Sequence, residues 1–202
     1  MRHFWEPYNV QVIRLILASN SPRRRELLRN AGFQFDVRPS GIAEARLPDE
    51  SPENFAGRLA RDKALDVARQ SQAGRVVLGA DTVVSVNGEI LEKPVDAADA
   101  ARMLRTLSGH AHRVITAVCL VRAPESVLAW RHETTSVTFR KLTDEEIESY
   151  VASGEPFDKA GGYAIQGLAS RFIPRIDGCY FNVVGLPVPL LYEMMKSVGI
   201  KE

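Results

Sequence analysis

Leu15-Ile16-Leu17-Ala18-Ser19-Asn20-Ser21-Pro22-Arg23-Arg24 decides how this chain is read. The apolar run Leu15 to Ala18 is short, as an interior strand is. Ser21 fits a helix cap, and Pro22 fits the first turn, where a missing N–H is harmless. Leu27, Leu28 and Ala31 give the predicted helix an inward face, and Gly32 ends it. Two arginines therefore stand in the first turn of a helix, just past the end of a strand. Free backbone N–H groups there attract anions. Cationic side chains oppose the helix dipole at that end. A bound phosphate accounts for them, since guanidinium pairs with it through two hydrogen bonds. A solvated basic turn accounts for Arg23 and Arg24 as well.

The rest of the chain sets bounds on this local reading. Its 202 residues can bury a full core. A net charge of +1 argues against a general binder of nucleic acid or membrane surfaces, so any anion site is local. The two cysteines, Cys119 and Cys179, form neither a disulfide framework nor a four-ligand zinc pattern. Both lie in apolar stretches and read as buried thiols. No apolar run approaches the ~20 residues of a membrane span, and the first residues lack a signal peptide's apolar stretch. A cytoplasmic protein is expected, with residues 1–13 as a loose extension before a domain over 14–202.

Further elements follow in order. Phe33 to Val37 alternates as a strand, and a loop carrying Glu44 follows. Ser51-Pro52 starts a second helix, striped by Phe55, Leu59, Ala60, Ala64 and Val67. Lys63 stands at the edge of that stripe, placed either to snorkel to water or to reach a cleft. Val76 to Val84 is a strongly apolar strand interrupted by Asp81. A buried carboxylate demands partners, a cation or an opening to solvent. Asn87-Gly88 marks a hairpin. Counting outward from it pairs Val86 with Glu89 and Thr82 with Lys93, which brings Lys93 near Asp81. Strict alternation puts Asp81 and Thr82 on opposite faces.

A third helix is expected from about Asp96 to Leu107, followed by His110 and His112, too few for a metal site. Val114–Val121 and Val127–Phe139 read as an antiparallel pair. Thr143 to Glu146 is a capping box. Glu155 to Gly167 mixes charge and glycine, which suits either close backbone approach to a ligand or a plain surface turn. Phe172 to Val184 reads as two short strands, and a last helix opens at Leu186-Pro187.

Arg23, Arg24, Lys63, Lys93 and Lys159 are thus candidate phosphate partners. Glu44, Asp81 and Asp158 are candidate metal or base carboxylates. Such a set suits phosphoanhydride chemistry with Mg²⁺ or Mn²⁺, because hard cations take carboxylate and phosphate oxygens.

Six segments carry a resemblance. They are Ala18-Ser19-x-Ser21-Pro22-Arg23-Arg24, Gly79-Ala80-Asp81-Thr82, Glu92-Lys93-Pro94, Ser108-Gly109-x-x-His112-x-Val114, Glu155-Pro156-x-Asp158-Lys159-Ala160-Gly161 and Ile165-Gln166-Gly167. In order and spacing they resemble the Maf family of nucleotide pyrophosphatases. The resemblance implies a mixed α/β fold similar to inosine triphosphate pyrophosphatases, with an elongated mixed sheet and two lobes around a cleft. It implies hydrolysis of a nucleoside triphosphate to monophosphate and pyrophosphate with a divalent cation, and a homodimer fits the family.

Carried over by position, Asp81 is the general base, with metal help from Glu44. Ser19, Arg23, Arg24, Lys63 and Lys93 hold phosphates. Arg23, Thr82 and Gln166 match the positions that set substrate choice in the dTTP/UTP branch. A glutamine amide both donates and accepts, as the N3–H and carbonyl edge of uracil or thymine requires. A 7-methyl-GTP pyrophosphatase and a non-catalytic, nucleotide-sensing regulator of septum formation are the competing readings. The chain departs from the family pattern at Ala43, where an aspartate is common, and at Ala169, where a glycine is common.

Overall fold

A computed structural model describes residues 14–200. The expected extension, residues 1–13, lies outside the described residues. The chain order is β1 (Leu15–Leu17), α1 (Pro22–Asn30), β2 (Phe35–Val37), α2 (Pro52–Arg69), β3 (Val76–Val86), β4 (Glu89–Leu91) and α3 (Ala97–Leu107). Then come β5 (Ala111–Arg122), β6 (Ser126–Thr138), α4 (Asp144–Ala152), β7 (Arg175–Asp177), α5 (Tyr180–Val184) and α6 (Val188–Ser197). Three short 3-10 turns lie between α4 and β7.

The caps form as their sequences require. The side chains of Ser21, Ser51, Asp96 and Thr143 accept backbone N–H groups at the starts of α1, α2, α3 and α4. The capping box of α4 is complete.

The strands form one seven-stranded mixed sheet in the order β2-β1-β3-β5-β6-β7, with β4 also on β3. β1 is parallel to β2 and β3, and the other pairs are antiparallel. One face packs Leu15, Leu17, Leu78 and Ala80 against Leu27 and Leu28 of α1 and Leu191 and Met194 of α6. The other face packs Ile16, Val77, Ile115 and Ala117 against Leu59, Ala60 and Ala64 of α2. A third core, around Leu104, Tyr150, Phe139 and Phe172, closes the far end under α3 and α4.

One pairing differs from the hairpin count, and the difference opens the cleft. Asn87 and Gly88 do turn with positive φ, and Val86 does face Glu89. The ladder stops at Val84 and Leu91, so Thr82 and Lys93 are not partners. β5 occupies one edge of β3 from Val76 to Ser85. β1 pairs on the opposite edge only at Val77 and Leu78, and β4 only from Val84 to Val86. Among the described residues, no strand covers Gly79 to Val83 on that edge. Side chains from both faces of β3 therefore reach one crevice.

Two further expectations are corrected. Phe172–Val184 is not two strands. It holds the end of a 3-10 turn, the single strand β7, and the short helix α5. Gly178 (φ 125°) breaks the second run, and the Asn182 side chain is drawn into the core. Cys119 is fully buried as expected, but Cys179 at the start of α5 is only half-buried.

Gly79 sets the spacing of α2 on the sheet. A Cβ there would lie 2.0 Å from the Ala60 carbonyl oxygen and 2.8 Å from Ala64 Cβ. Gly79→Ala is expected to lower the free energy of unfolding by about 3 kcal/mol, the upper range for overpacking. A denaturant titration checks this, and a midpoint within error of wild type would contradict the close packing.

His112 is buried beneath Tyr163, with Nε2 2.7 Å from the phenol oxygen and, among the described residues, no partner on Nδ1. Burial holds its pKa down at about 4, against an ordinary 6.5. The unfolded chain then takes up the proton first, so this contribution is complete above pH 6.5 and is lost as pH falls toward 4. The loss is expected to reach up to about 3 kcal/mol. Unfolding measured across that range should be flatter with pH in His112→Gln. Identical slopes in the two proteins would show that His112 does not carry the proton.

Candidate active site

The crevice opened beside β3 is a cleft of about 500 Å³. The β1–α1 turn forms one wall, α2 and the Glu44 loop another, and the segment around Lys159–Gln166 with Val183–Gly185 a third. Ser19, Arg23, Arg24, Glu44, Lys63, Asp81, Thr82, Lys93, Asp158, Lys159 and Gln166 all line it. The structure therefore brings together all the candidate phosphate, base, metal and specificity residues named from the sequence.

Alternation along β3 decides what each side chain meets. Asp81 points to the α2 face, on the side of Val77 and Val83. There its Oδ1 accepts Lys63 Nζ at 2.6 Å, with both side chains buried. The same Nζ lies 2.5 Å from Glu44 Oε1, and Lys93 Nζ lies 3.2 Å from Glu44 Oε2. Charges thus alternate from Lys93 through Glu44 and Lys63 to Asp81. Lys93 meets Glu44, not Asp81 as the hairpin count suggested.

The two carboxyls respond in opposite directions. Burial pushes the Asp81 carboxyl above the ordinary carboxylate value, and the Lys63 and Arg24 charges offset this only in part. Burial also opposes ionisation of Glu44, yet the Lys63 and Lys93 ammonium groups hold it at about 2. Asp81 is the more basic of the two.

Thr82 points to the other face, toward α1. Arg24 is buried beside it, with three donors already engaged. Nε donates to the Gly185 carbonyl at 2.8 Å, Nη1 to Ser19 Oγ at 3.2 Å and Nη2 to Thr82 Oγ1 at 3.0 Å. Burial draws its pKa below the usual value, while the Asp81 charge works to raise it. Arg24 thus has three of its five N–H groups engaged within the protein. It braces the cleft as a fixed positive charge, while the neighbouring Arg23 is half-buried on the cleft wall.

The brace continues inward through residues not singled out from the sequence. Thr82 Oγ1 lies 3.0 Å from Thr116 Oγ1, which donates to the Asn182 carbonyl at 2.9 Å. The Asn182 amide donates to the Val114 carbonyl and to Thr135 Oγ1, and its oxygen accepts the Thr116 N–H. Asn182 is fully buried and satisfied. An amide inside the apolar run Tyr180 to Val184 was its only signal.

At the opposite end, Lys159 Nζ donates to the Glu155 carbonyl at 2.6 Å and pairs with Asp158. Burial works against ionisation of Asp158, but Lys159 and Arg23 keep its pKa low. Gln166 occupies the turn from Ala164 to Gly167 at that end.

The described residues contain no cluster of three or more His, Cys, Asp or Glu side chains suited to a metal. Glu44 and Asp81 nevertheless converge on one cationic centre, the Lys63 ammonium. Two carboxylates suit Mg²⁺ or a similar ion that takes its other ligands from water and substrate phosphates. No described helix is long and apolar enough to cross a membrane.

The chain is similar to known proteins over most of its length. The dTTP/UTP pyrophosphatase of Koribacter versatilis is 51% identical over 92% of this chain and 95% of its own length. That of Geobacter sulfurreducens is 52% identical over 92% of this chain and 97% of its own. A solved nucleoside-triphosphatase / dITP/XTP pyrophosphatase from Mycobacterium abscessus is 17% identical, with a TM-score of 0.40 over 64% of this chain and 76% of its own, a likeness too partial to build on. The profile described as Maf-like protein matches residues 14–198, and the chain belongs to the Maf family.

Proposed function

We propose that this chain hydrolyses dTTP and UTP to the nucleoside monophosphate and pyrophosphate. The observation that carries the reading is Asp81, a buried carboxyl of raised basicity opening onto a cleft that also holds Arg23, Lys63, Lys93 and Gln166. The relatives that share half of its residues are dTTP/UTP pyrophosphatases.

In this reading the Asp81 carboxylate accepts a proton from water as the water oxygen bonds to phosphorus. The bridge between the α and β phosphates breaks, and pyrophosphate leaves. A base whose pKa is raised toward the working pH is better suited to that transfer than an ordinary aspartate. Arg23, Lys63 and Lys93 meet the phosphate charge, with Ser19 at the same wall. Arg24 contributes its field and fixes Ser19 and Thr82. Gln166 donates to and accepts from the uracil or thymine edge.

Glu44 and Asp81, with substrate phosphates, would hold a divalent cation such as Mg²⁺ or Mn²⁺. When bound, that ion polarises the phosphoryl group and neutralises developing charge. Nucleotide substrates imply a cytoplasmic enzyme that needs neither nucleic acid nor membrane. A homodimer follows the family resemblance.

Purified chain with Mg²⁺ or Mn²⁺ is expected to release pyrophosphate from dTTP and UTP in preference to purine triphosphates and 7-methyl-GTP. Asp81→Asn should reduce turnover by at least about 100-fold, the scale of a lost general base. Its fold should be retained, read as an unchanged far-UV circular dichroism spectrum, because the amide keeps an acceptor for the Lys63 ammonium and Glu44 still pairs it. A wild type that binds these nucleotides without turnover, or an Asp81→Asn protein that keeps most of its activity, would defeat the assignment.

Gln166→Glu should raise KM for UTP and dTTP by about tenfold, since a carboxylate cannot donate to a carbonyl. Competitive inhibition by inorganic tripolyphosphate should be unchanged. Equal weakening of both would mean that Gln166 does not read the base.

A further inference from the structure

Gln166 has a support that none of the roles above uses. The turn bearing it is closed by the Gly167 N–H donating to the Ala164 carbonyl at 3.1 Å. The next N–H, of Leu168, donates to Glu155 Oε2 at 2.9 Å. Glu155 Oε1 accepts the phenol hydroxyl of Tyr150 at 2.8 Å. The Tyr150 ring is fully buried in the far core, so this bond anchors the carboxylate to a rigid body. Burial and the Glu155 carboxylate raise the phenol's pKa and keep it a donor.

The carboxylate lies directly under the turn. A Cβ built on Gly167 would come within 2.3–2.4 Å of its three atoms. Gly167 has φ −103°, which any residue adopts. Only the contact with Glu155 therefore demands glycine there. Lys159 Nζ holds the Glu155 carbonyl at 2.6 Å, fixing the backbone from which the carboxylate extends. Glu155 is half-buried and is not among the residues lining the cleft.

We propose that Glu155 is a positioning residue for base recognition, a carboxylate strut running from the Tyr150 hydroxyl to the backbone that carries Gln166. This rests on the reading of the chain as a pyrimidine nucleotide pyrophosphatase. The strut stands at the end of the cleft that holds Gln166: of the candidate phosphate residues only Lys159 shares its segment, while Asp81, Arg23, Lys63 and Lys93 stand on β3, α1, α2 and the segment after β4.

The test separates the two ends of the substrate. Glu155→Ala should raise KM for UTP and dTTP about tenfold, on the scale of lost charge-assisted hydrogen bonds, with kcat changed less than about threefold. The inhibition constant of inorganic tripolyphosphate should not move. Glu155→Gln keeps an acceptor for the Leu168 N–H and should restore KM to within about threefold of wild type. Gly167→Ala, which pushes the carboxylate away while leaving it in the chain, should reproduce the KM rise and serves if Glu155→Ala does not fold. An unchanged KM in Gly167→Ala, or tripolyphosphate weakened as much as UTP, would overturn the strut. A wild type without activity on UTP and dTTP would fail earlier and would point to the substrate reading instead.

Discussion

Placing the Asp81 carboxyl inside the sheet is the constraint on which the architecture depends. A carboxylate in the middle of a buried strand is unfavourable unless a counter-charge reaches it. Lys63 supplies that charge from α2 at 2.6 Å. The ammonium can arrive only because α2 lies almost on the backbone of β3, and the approach is possible because position 79 has no side chain and positions 60 and 64 are alanine. The small residues of α2 and the glycine two places before Asp81 are therefore parts of the site, although none of them lines the cleft. Lys63 also bonds Glu44, so one ammonium ties the acid on the strand to the loop over it.

The second requirement is an opening. Asp81 and Thr82 point to opposite faces, yet both reach the same cleft. This follows from the sheet itself: β1 ends too early and β4 starts too late to cover Gly79–Val83. Crevices at such interruptions are where α/β sheets commonly bind ligands. On one side of the gap the Lys63 cluster faces the cleft. On the other, Arg24 spans from Gly185 to Ser19 and Thr82, and Thr116 and Asn182 extend the brace into the sheet. Two supports thus flank an edge that, among the described residues, no strand closes.

Much of this was legible in the chain. The caps at Ser21, Ser51, Asp96 and Thr143 act through local hydrogen bonds, which depend on nearest neighbours and so can be read directly. The cleft residues were legible for a different reason: polar side chains stood where the apolar pattern had no place for them, Asp81 above all. The segment from Phe172 to Val184 was not legible as drawn, because short apolar runs do not distinguish strand from helix. The Thr82–Lys93 pairing failed because a turn sets register near itself but does not say where a ladder stops. The engagement of Arg24 was hidden for the same non-local reason, since its partner Gly185 lies 161 positions away.

The two ends of the cleft are built on different materials. The acid and most of its cations stand on long elements, β3 and α2, whose packing leaves little freedom. Gln166 stands on a short turn supported by a carboxylate anchored to Tyr150 and by Ile165 packed against the core. Chemistry needs precision in the position of one proton acceptor, and strands and helices provide it. In the role proposed for Gln166, base recognition needs a surface that a small change can reshape, and a short turn provides that. If Gln166 reads the base as proposed, a substitution in the 155–168 segment alters which base is accepted while the Asp81–Lys63–Glu44 arrangement stays as it is. The reverse does not hold: moving α2 by the width of one methyl group at position 79 would disturb the acid itself.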